Sequence, residues 1–248
     1  MNIYQKLVEN CLSLARAKKT KRVCIGINYT VVEIERGGIG IAHTFLPEKE
    51  FYRNLENEID FWKSPADLLI KGYLSNNPLE ISVGLATINA ILNNKKNFLF
   101  NSFKEDIISQ LDLSEKDEIL MIGYFESIYN KLKGKVKKIW VIEEKWTNSN
   151  LNISEITHKI KLAIITSTTL LNKTLEDFLE ITKEIPEILL AGPSTPLTPN
   201  IFKNTSITWL CGSIVKDSEL LFRGVCEGKG TESLFKSGAL EKIILKIK

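Results

Sequence analysis

From residue 118 onward the chain alternates short apolar runs with helical stretches, and that alternation constrains the fold more than any other feature. The runs are EILMIGY, KKIWVIEE, KLAIITS, EILLAG and SITWLCG. Between them lie a helix to Lys133, a short helix near Ser154 to Ile160, a helix from Lys173 to Glu184, a turn, and a helix from Asp217 to Cys226. Strands separated by helical patterns of this length imply right-handed βαβ units on a parallel sheet. The runs are apolar on both faces, as central parallel strands must be. The tail LEKIILKIK alternates and reads either as an edge strand or as a last helix.

The first hundred residues follow a different grammar. Ile3, Leu7, Cys11 and Leu14 recur at helical spacing. Five of the seven residues from Arg16 to Arg22 are basic, which suits either a solvated helix end or an anion-binding patch. Three β-like runs follow, Val23 to Asn28, Val31 to Glu35 and Ile39 to Thr44, with turns at Tyr29-Thr30 and Arg36-Gly37-Gly38. Ser64-Pro65 and Asn77-Pro78 each start a helix, and the polar stretch Asn93 to Asn97 reads as the exit of the second. Helix, meander and helices make an α+β unit ending near residue 104. The change of grammar predicts two domains, residues 1–104 and 105–248.

Composition narrows the function classes. With 44% hydrophobic and 25% charged residues the bulk of the chain is not disordered. A net charge of +3 is too small for a dedicated nucleic-acid or membrane-surface protein. No apolar run reaches the ~18 residues of a membrane span, and the N-terminus is too charged for a signal peptide. Four cysteines without a C-x-x-C pair point to a reducing cytoplasm, with neither a zinc knuckle nor a disulfide framework. Two histidines exclude a His-rich metal site, so the expected protein-bound metal is none, and any metal arrives inside a ligand. These features predict a cytoplasmic protein acting on a small molecule. They identify no cofactor and no oligomeric state.

Open parallel sheets bind ligands beyond the carboxyl ends of their strands. The residues there are Gly123-Tyr124-Phe125-Glu126, then Glu143-Glu144, then Thr166-Ser167-Thr168-Thr169 leading to Asn172, then Gly192-Pro193-Ser194-Thr195-Pro196-Leu197-Thr198-Pro199. Glu143 lies about where a nucleotide-binding fold holds a ribose hydroxyl, although it equally suits a solvated strand end. Gly123 stands alone, and Phe125 occupies the place of the second glycine of G-x-G-x-x-G, which argues against NAD. Thr166 to Asn172 offers hydroxyls, an amide and a helix start, fit for an anionic or carbonyl group or simply for capping the helix. The loop after the fourth strand carries three of the seven prolines and predicts a stiff frame presenting Ser194, Thr195 and Thr198 to a ligand, with Ser194 exposed. No His–Asp partner supports a serine nucleophile. Asn89, within GLATINAIL, either braces a neighbouring strand or faces the cleft between the two units. His43 is a structural residue, a ligand or a general base.

NNPLE and GLATINAIL, then MIGYFESI, WVIEEK, AIITSTTLLNKTLEDFL, LLAGPSTPLTPNIF and LCGSIVKDSELL, occur in the order seen in a known family. The chain resembles, over nearly its whole length, the heavy-metal chelation proteins, a pair of domains of unknown function. GPSTPLTP and TLLNKTLEDFL are the most specific parts. The resemblance implies an α/β fold: a Rossmann-like parallel-sheet domain preceded by a small α+β enolase N-terminal-like domain. It also implies a site in the cleft between them. Matching positions are Asn28, Thr44, Asn89, Gly123, Glu143, Thr166, Asn172, Gly192, Pro193, Ser194 and Pro196. Strings of the type GHFP and TGS in the family are replaced here by Gly123-Tyr124-Phe125-Glu126 and Thr166-Ser167-Thr168, which adds a carboxylate and fills the space of a glycine. Enolase chemistry is not implied, because its barrel is absent.

The resemblance implies a small-molecule enzyme or ligand-binding protein linked to metal homeostasis, acting by condensation or hydrolysis of a pterin-, flavin- or siderophore-like compound. The expected ligand-binding set is Asn89, Gly123, Glu143, Thr166, Ser167, Asn172, Gly192, Pro193, Ser194 and Thr195. Two alternatives stay open: a non-catalytic carrier of a metal chelate or corrinoid, and a methyltransferase-like protein.

Overall fold

The computed structural model describes residues 1–46, 60–94, 107–143 and 153–248. Helix α1 (Ile3–Ala15) begins at a reciprocal cap: Asn2 accepts from the Gln5 N–H, and Gln5 accepts from the Asn2 N–H. Its buried stripe is Ile3, Tyr4, Leu7, Val8, Cys11 and Ala15; Leu14 lies outside it, half exposed.

Strands β1 (Thr20–Ile25), β2 (Tyr29–Ile34) and β3 (Ile39–His43) form an antiparallel sheet in that order. Ile25 pairs with Thr30, so the first turn falls at residues 26–28 and not at Tyr29-Thr30. Tertiary packing explains the shift. A Cβ at Gly26 would lie 2.6 Å from the Val225 carbonyl, and the Asn28 amide donates to the Gly228 carbonyl at 2.7 Å.

Helix α2 (Ala66–Gly72) precedes α3 (Pro78–Leu92), which is capped by Asn77 accepting from the Leu79 N–H with proline in the first helical position. Apart from three positions, Leu79, Glu80 and Ile91, α3 is buried along its length. It lies directly on the small sheet. A Cβ at Gly40 would come within 2.1 Å of the Ala86 carbonyl, so glycine on β3 and alanine on α3 permit backbone-to-backbone approach.

Short α4 (Ile107–Gln110) leads into β4 (Glu118–Ile122), α5 (Glu126–Leu132), β5 (Lys138–Ile142) and α6 (Ile153–Ile156). Then follow β6 (Ile160–Thr166), a 3-10 turn (Ser167–Leu170), α7 (Leu175–Thr182), β7 (Glu187–Ala191), α8 (Pro199–Phe202), β8 (Trp209–Val215), α9 (Ser218–Cys226), α10 (Thr231–Lys236) and β9 (Leu240–Lys246). The second sheet has six strands in the order β5-β4-β6-β7-β8-β9, parallel except for β9, which runs antiparallel to β8. The C-terminal tail is therefore an edge strand. The two sheets are separate, and the boundary expected near residue 104 lies outside the described residues.

One large core joins α1, α2 and α3 to the small sheet and to one face of the large sheet. A second covers the opposite face of the large sheet. A third packs Leu221, Phe222 and Val225 of α9 against Tyr29, Val31 and Ile41 of the small sheet. The small sheet is thus held between α3 and a helix from the far end of the chain. Among the described residues no helix is long and apolar enough to cross a membrane.

Candidate functional site

The chain order of the large sheet reverses at β4: β5 lies on one side of it and β6 on the other. At such a point the connections leave in opposite directions, and the strand ends are left uncovered. A cavity of about 590 Å³ opens there. Its floor is Ile122, Gly123, Ile142, Glu143 and Thr166. One wall is the segment after β6, with Thr168, Thr169, Leu171, Asn172 and Thr174, backed by Phe178. The other wall comes from the small sheet: Ile27 and Asn28 from its first turn, and His43 to Leu46 from its exit.

Gly123 has φ 85°, and a Cβ there would lie 2.7 Å from the Thr166 methyl. Its N–H donates to the Ile142 carbonyl at 2.7 Å. The ends of β4, β5 and β6 are therefore drawn together by one glycine. Glu143, partly exposed, accepts from the Tyr124 N–H at 3.2 Å, which fixes the carboxylate at the cavity floor.

The segment after β6 is stiff. Thr169 donates to the Thr166 carbonyl at 2.6 Å, and the Thr166 and Thr168 hydroxyls are 3.1 Å apart. Asn172 accepts from the Thr174 hydroxyl at 2.7 Å. Lys173, with φ 61°, donates to the Tyr73 carbonyl at 2.8 Å, and its ammonium lies over the rings of Tyr73 and Tyr4. Burial pushes this lysine down to about 7, whereas the ring faces favour the cation. Tyr73 in turn donates to the Leu170 carbonyl at 2.8 Å. Helices α1 and α2 thereby set the position of the threonine wall.

Among the described lining residues Glu143 is the one carboxylate and His43 the one imidazole, and none is lysine or arginine. Burial lowers the His43 pKa from its ordinary value, so the imidazole is neutral at neutral pH. Its ring meets Tyr29 edge-on at 5.7 Å.

Of the ten residues expected to bind a ligand, Gly123, Glu143, Thr166 and Asn172 line the cavity. Asn28, Thr44 and His43, noted in the sequence, line it as well. The other six, Asn89, Ser167, Gly192, Pro193, Ser194 and Thr195, are not among the lining residues. Ser194 is 1% exposed, contrary to the expectation of an exposed hydroxyl. It is buried because its Oγ accepts from the His43 N–H at 2.7 Å while its carbonyl accepts from Asn89 Nδ2 at 3.0 Å. Asn89 also donates to the Ile41 carbonyl at 2.9 Å, so one amide ties α3 to β3 and to the proline loop.

Asn93, one turn later, repeats the arrangement. Its Nδ2 donates to the carbonyls of Thr195 and Ser213 at 2.9 and 3.2 Å, and its Oδ1 accepts from the Leu197 N–H at 2.8 Å. Ser167 packs against Gly192, whose φ is 131° and whose Cβ position would be 2.4 Å from the Ser167 hydroxyl. GPSTPLTP is thus a bracket between the small sheet and β8, and it reaches the cavity through His43. Sequence reasoning missed Asn93 in this role; its four-residue spacing from Asn89 on an apolar helix was the available signal. The apolar walls, Ile27, Phe45, Leu171 and Phe178, carried no sequence signal beyond hydrophobicity.

Two family models, DUF364 and DUF4213, both described as "Putative heavy-metal chelation", match residues 106–244 and 8–92. The chain belongs to this heavy-metal chelation family. An uncharacterised protein of Methanocaldococcus jannaschii is 27% identical over 249 residues, covering 90% of this chain and 95% of its own. A crystal structure of a family member of unknown function from Pyrococcus horikoshii superposes with a TM-score of 0.82 at 23% identity, covering 99% of this chain and 100% of that one. Another, from Desulfitobacterium hafniense, gives 0.72 at 22% identity over 98% of both chains. These likenesses support the fold. Among the described residues no three His, Cys, Asp or Glu side chains are grouped to hold a metal ion.

Proposed function

We propose that this chain binds a small organic molecule in the cavity between its two sheets, and that the heavy-metal link of the family runs through that molecule as a chelator or its metal complex. The observation that carries the reading is the polarity of the cavity: a carboxylate, a neutral imidazole, threonine hydroxyls and amides on apolar walls, with no lining lysine or arginine among the described residues. An anionic phosphate finds no cation there. A neutral or cationic ring system carrying hydroxyl or amino groups finds acceptors at Glu143 and His43 and apolar contact at Ile27, Phe45 and Phe178. Pterin- and flavin-like heterocycles and hydroxyl-bearing siderophore fragments meet that description. The volume is that of an ordinary small-molecule pocket. We place the division between the two domains near residue 104 and the protein in the cytoplasm.

A condensation or hydrolysis is the second reading. His43 favours it, being a neutral base on the cavity wall whose backbone is fixed by Ser194. Methyl transfer receives less support, since Gly123 is the only glycine of its loop.

Native mass spectrometry of the purified protein, followed by calorimetry with neopterin, riboflavin, a catecholate siderophore and adenosine, tests the reading. Binding of one of the first three is expected. Glu143→Gln should weaken it about tenfold, the worth of one hydrogen bond to a charged group. Full affinity in Glu143→Gln, or competition by inorganic phosphate, would overturn the assignment.

A further inference from the structure

The four cysteines are far apart in sequence, yet the fold brings two of them together. Cys24 on β1 and Cys226 at the end of α9 are separated by 202 positions, and their sulfurs are 3.5 Å apart. Both are free thiols; Cys226 is exposed and Cys24 is partly buried, whereas Cys11 and Cys211 are buried. The pair sits beside a wall of the cavity. Two residues after Cys24 comes Gly26, against the Val225 carbonyl, and then Ile27 and Asn28, which line the cavity. Two residues after Cys226 comes Gly228, whose carbonyl accepts from Asn28.

We propose that Cys24 and Cys226 are a redox modification site: a low-molecular-weight disulfide converts them to an intramolecular disulfide that fastens the turn at residues 26–28 to the end of α9. The exposed Cys226 thiolate attacks one sulfur of the small disulfide. Its S–S bond breaks, one small thiol leaves, and a mixed disulfide forms on Cys226. Cys24 then gives up its proton, and its sulfur attacks Sγ of Cys226. The mixed bond breaks, and the second small thiol leaves with a proton. Two protein thiols are oxidised, and one disulfide is reduced to two thiols.

The surroundings of the pair favour oxidation over a four-coordinate metal site. A four-coordinate thiolate metal site needs further donors, and among the described residues no third His, Cys, Asp or Glu joins the pair. Burial and the neighbouring sulfur raise the Cys24 thiol to about 11, and Cys226 is the exposed member of the pair, so Cys226 is the sulfur that meets the small disulfide first.

The test uses the full-length protein and glutathione disulfide, followed by iodoacetamide and peptide mapping without reduction. Wild type should lose two alkylatable thiols and yield a cross-linked peptide joining residues 24 and 226, while staying a single chain on a non-reducing gel. Dithiothreitol should restore both thiols. Cys24→Ser should instead retain glutathione on Cys226, and Cys226→Ser should leave Cys24 alkylatable. Hydrogen exchange should slow at residues 24–30 and 225–229 in the oxidised protein. Both thiols still alkylated, glutathione retained on Cys226 in wild type, a disulfide between two chains, or unchanged exchange after cross-linking would overturn the proposal. None of these readouts uses a cavity ligand, so they stand or fall separately from the function proposed above.

Discussion

Asn93→Ala tests the bracket that joins α3 to the proline loop. The side chain is 5% exposed and makes three hydrogen bonds, to the carbonyls of Thr195 and Ser213 and from the Leu197 N–H. Each such bond contributes about 1 kcal/mol net, and a buried group left without a partner costs ~1–3 kcal/mol. Alanine removes all three at once and fills none of the space. The expected loss is therefore ~3 kcal/mol, allowing water to reach one of the orphaned groups. In a chain of this length that lowers the melting midpoint by roughly 6–12 °C. Thermal and urea unfolding, followed by far-UV circular dichroism and tryptophan fluorescence, measure the change. Lys183→Ala is the control. It breaks an exposed pair with Glu180 and should leave the melting midpoint and the urea midpoint close to those of wild type. If Asn93→Ala fell within ~1 kcal/mol of wild type, the three bonds would not be holding the loop, and the bracket would be wrong.

Ser194→Ala should cost ~1–2 kcal/mol in the same assay, because it leaves the His43 N–H without its acceptor; a change below ~0.5 kcal/mol would mean the hydroxyl is as dispensable as an exposed one. The His43 imidazole has its pKa lowered by burial, so the unfolded chain takes up this proton first as pH falls below about 6.5. Stability present above that pH is lost as pH drops through the lowered value, and His43→Gln should flatten the melting-midpoint profile below about pH 6.5. An unchanged slope in the variant would show that His43 is not held neutral.

Local sequence determined much of the scaffold. Asn77-Pro78 starts α3 because the asparagine accepts from the Leu79 N–H and proline needs no donor in the first turn. Runs such as EILMI form central strands because both of their faces are apolar. Gly123, Glu143, Thr166 and Asn172 were legible as cavity residues because a parallel sheet exposes the residues that follow its strands. Tertiary structure decided the rest. Whether LEKIILKIK becomes helix or strand depends on the open edge of β8, with which it pairs from Val215↔Leu240 to Trp209↔Lys246. The first turn of the small sheet moved to residues 26–28 because α9, two hundred residues away, presses on Gly26. Ser194 looked like a displayed hydroxyl and Asn93 like a polar helix exit. Both are buried, because a polar group's partner is chosen by the chain that arrives beside it, and neither the identity of the residue nor its sequence neighbours record which chain that is. The same holds for Cys24 and Cys226, unpaired in sequence and adjacent in space, since hydrogen bonds and sulfur contacts act over ~3–4 Å while the order of residues fixes only what lies along the backbone.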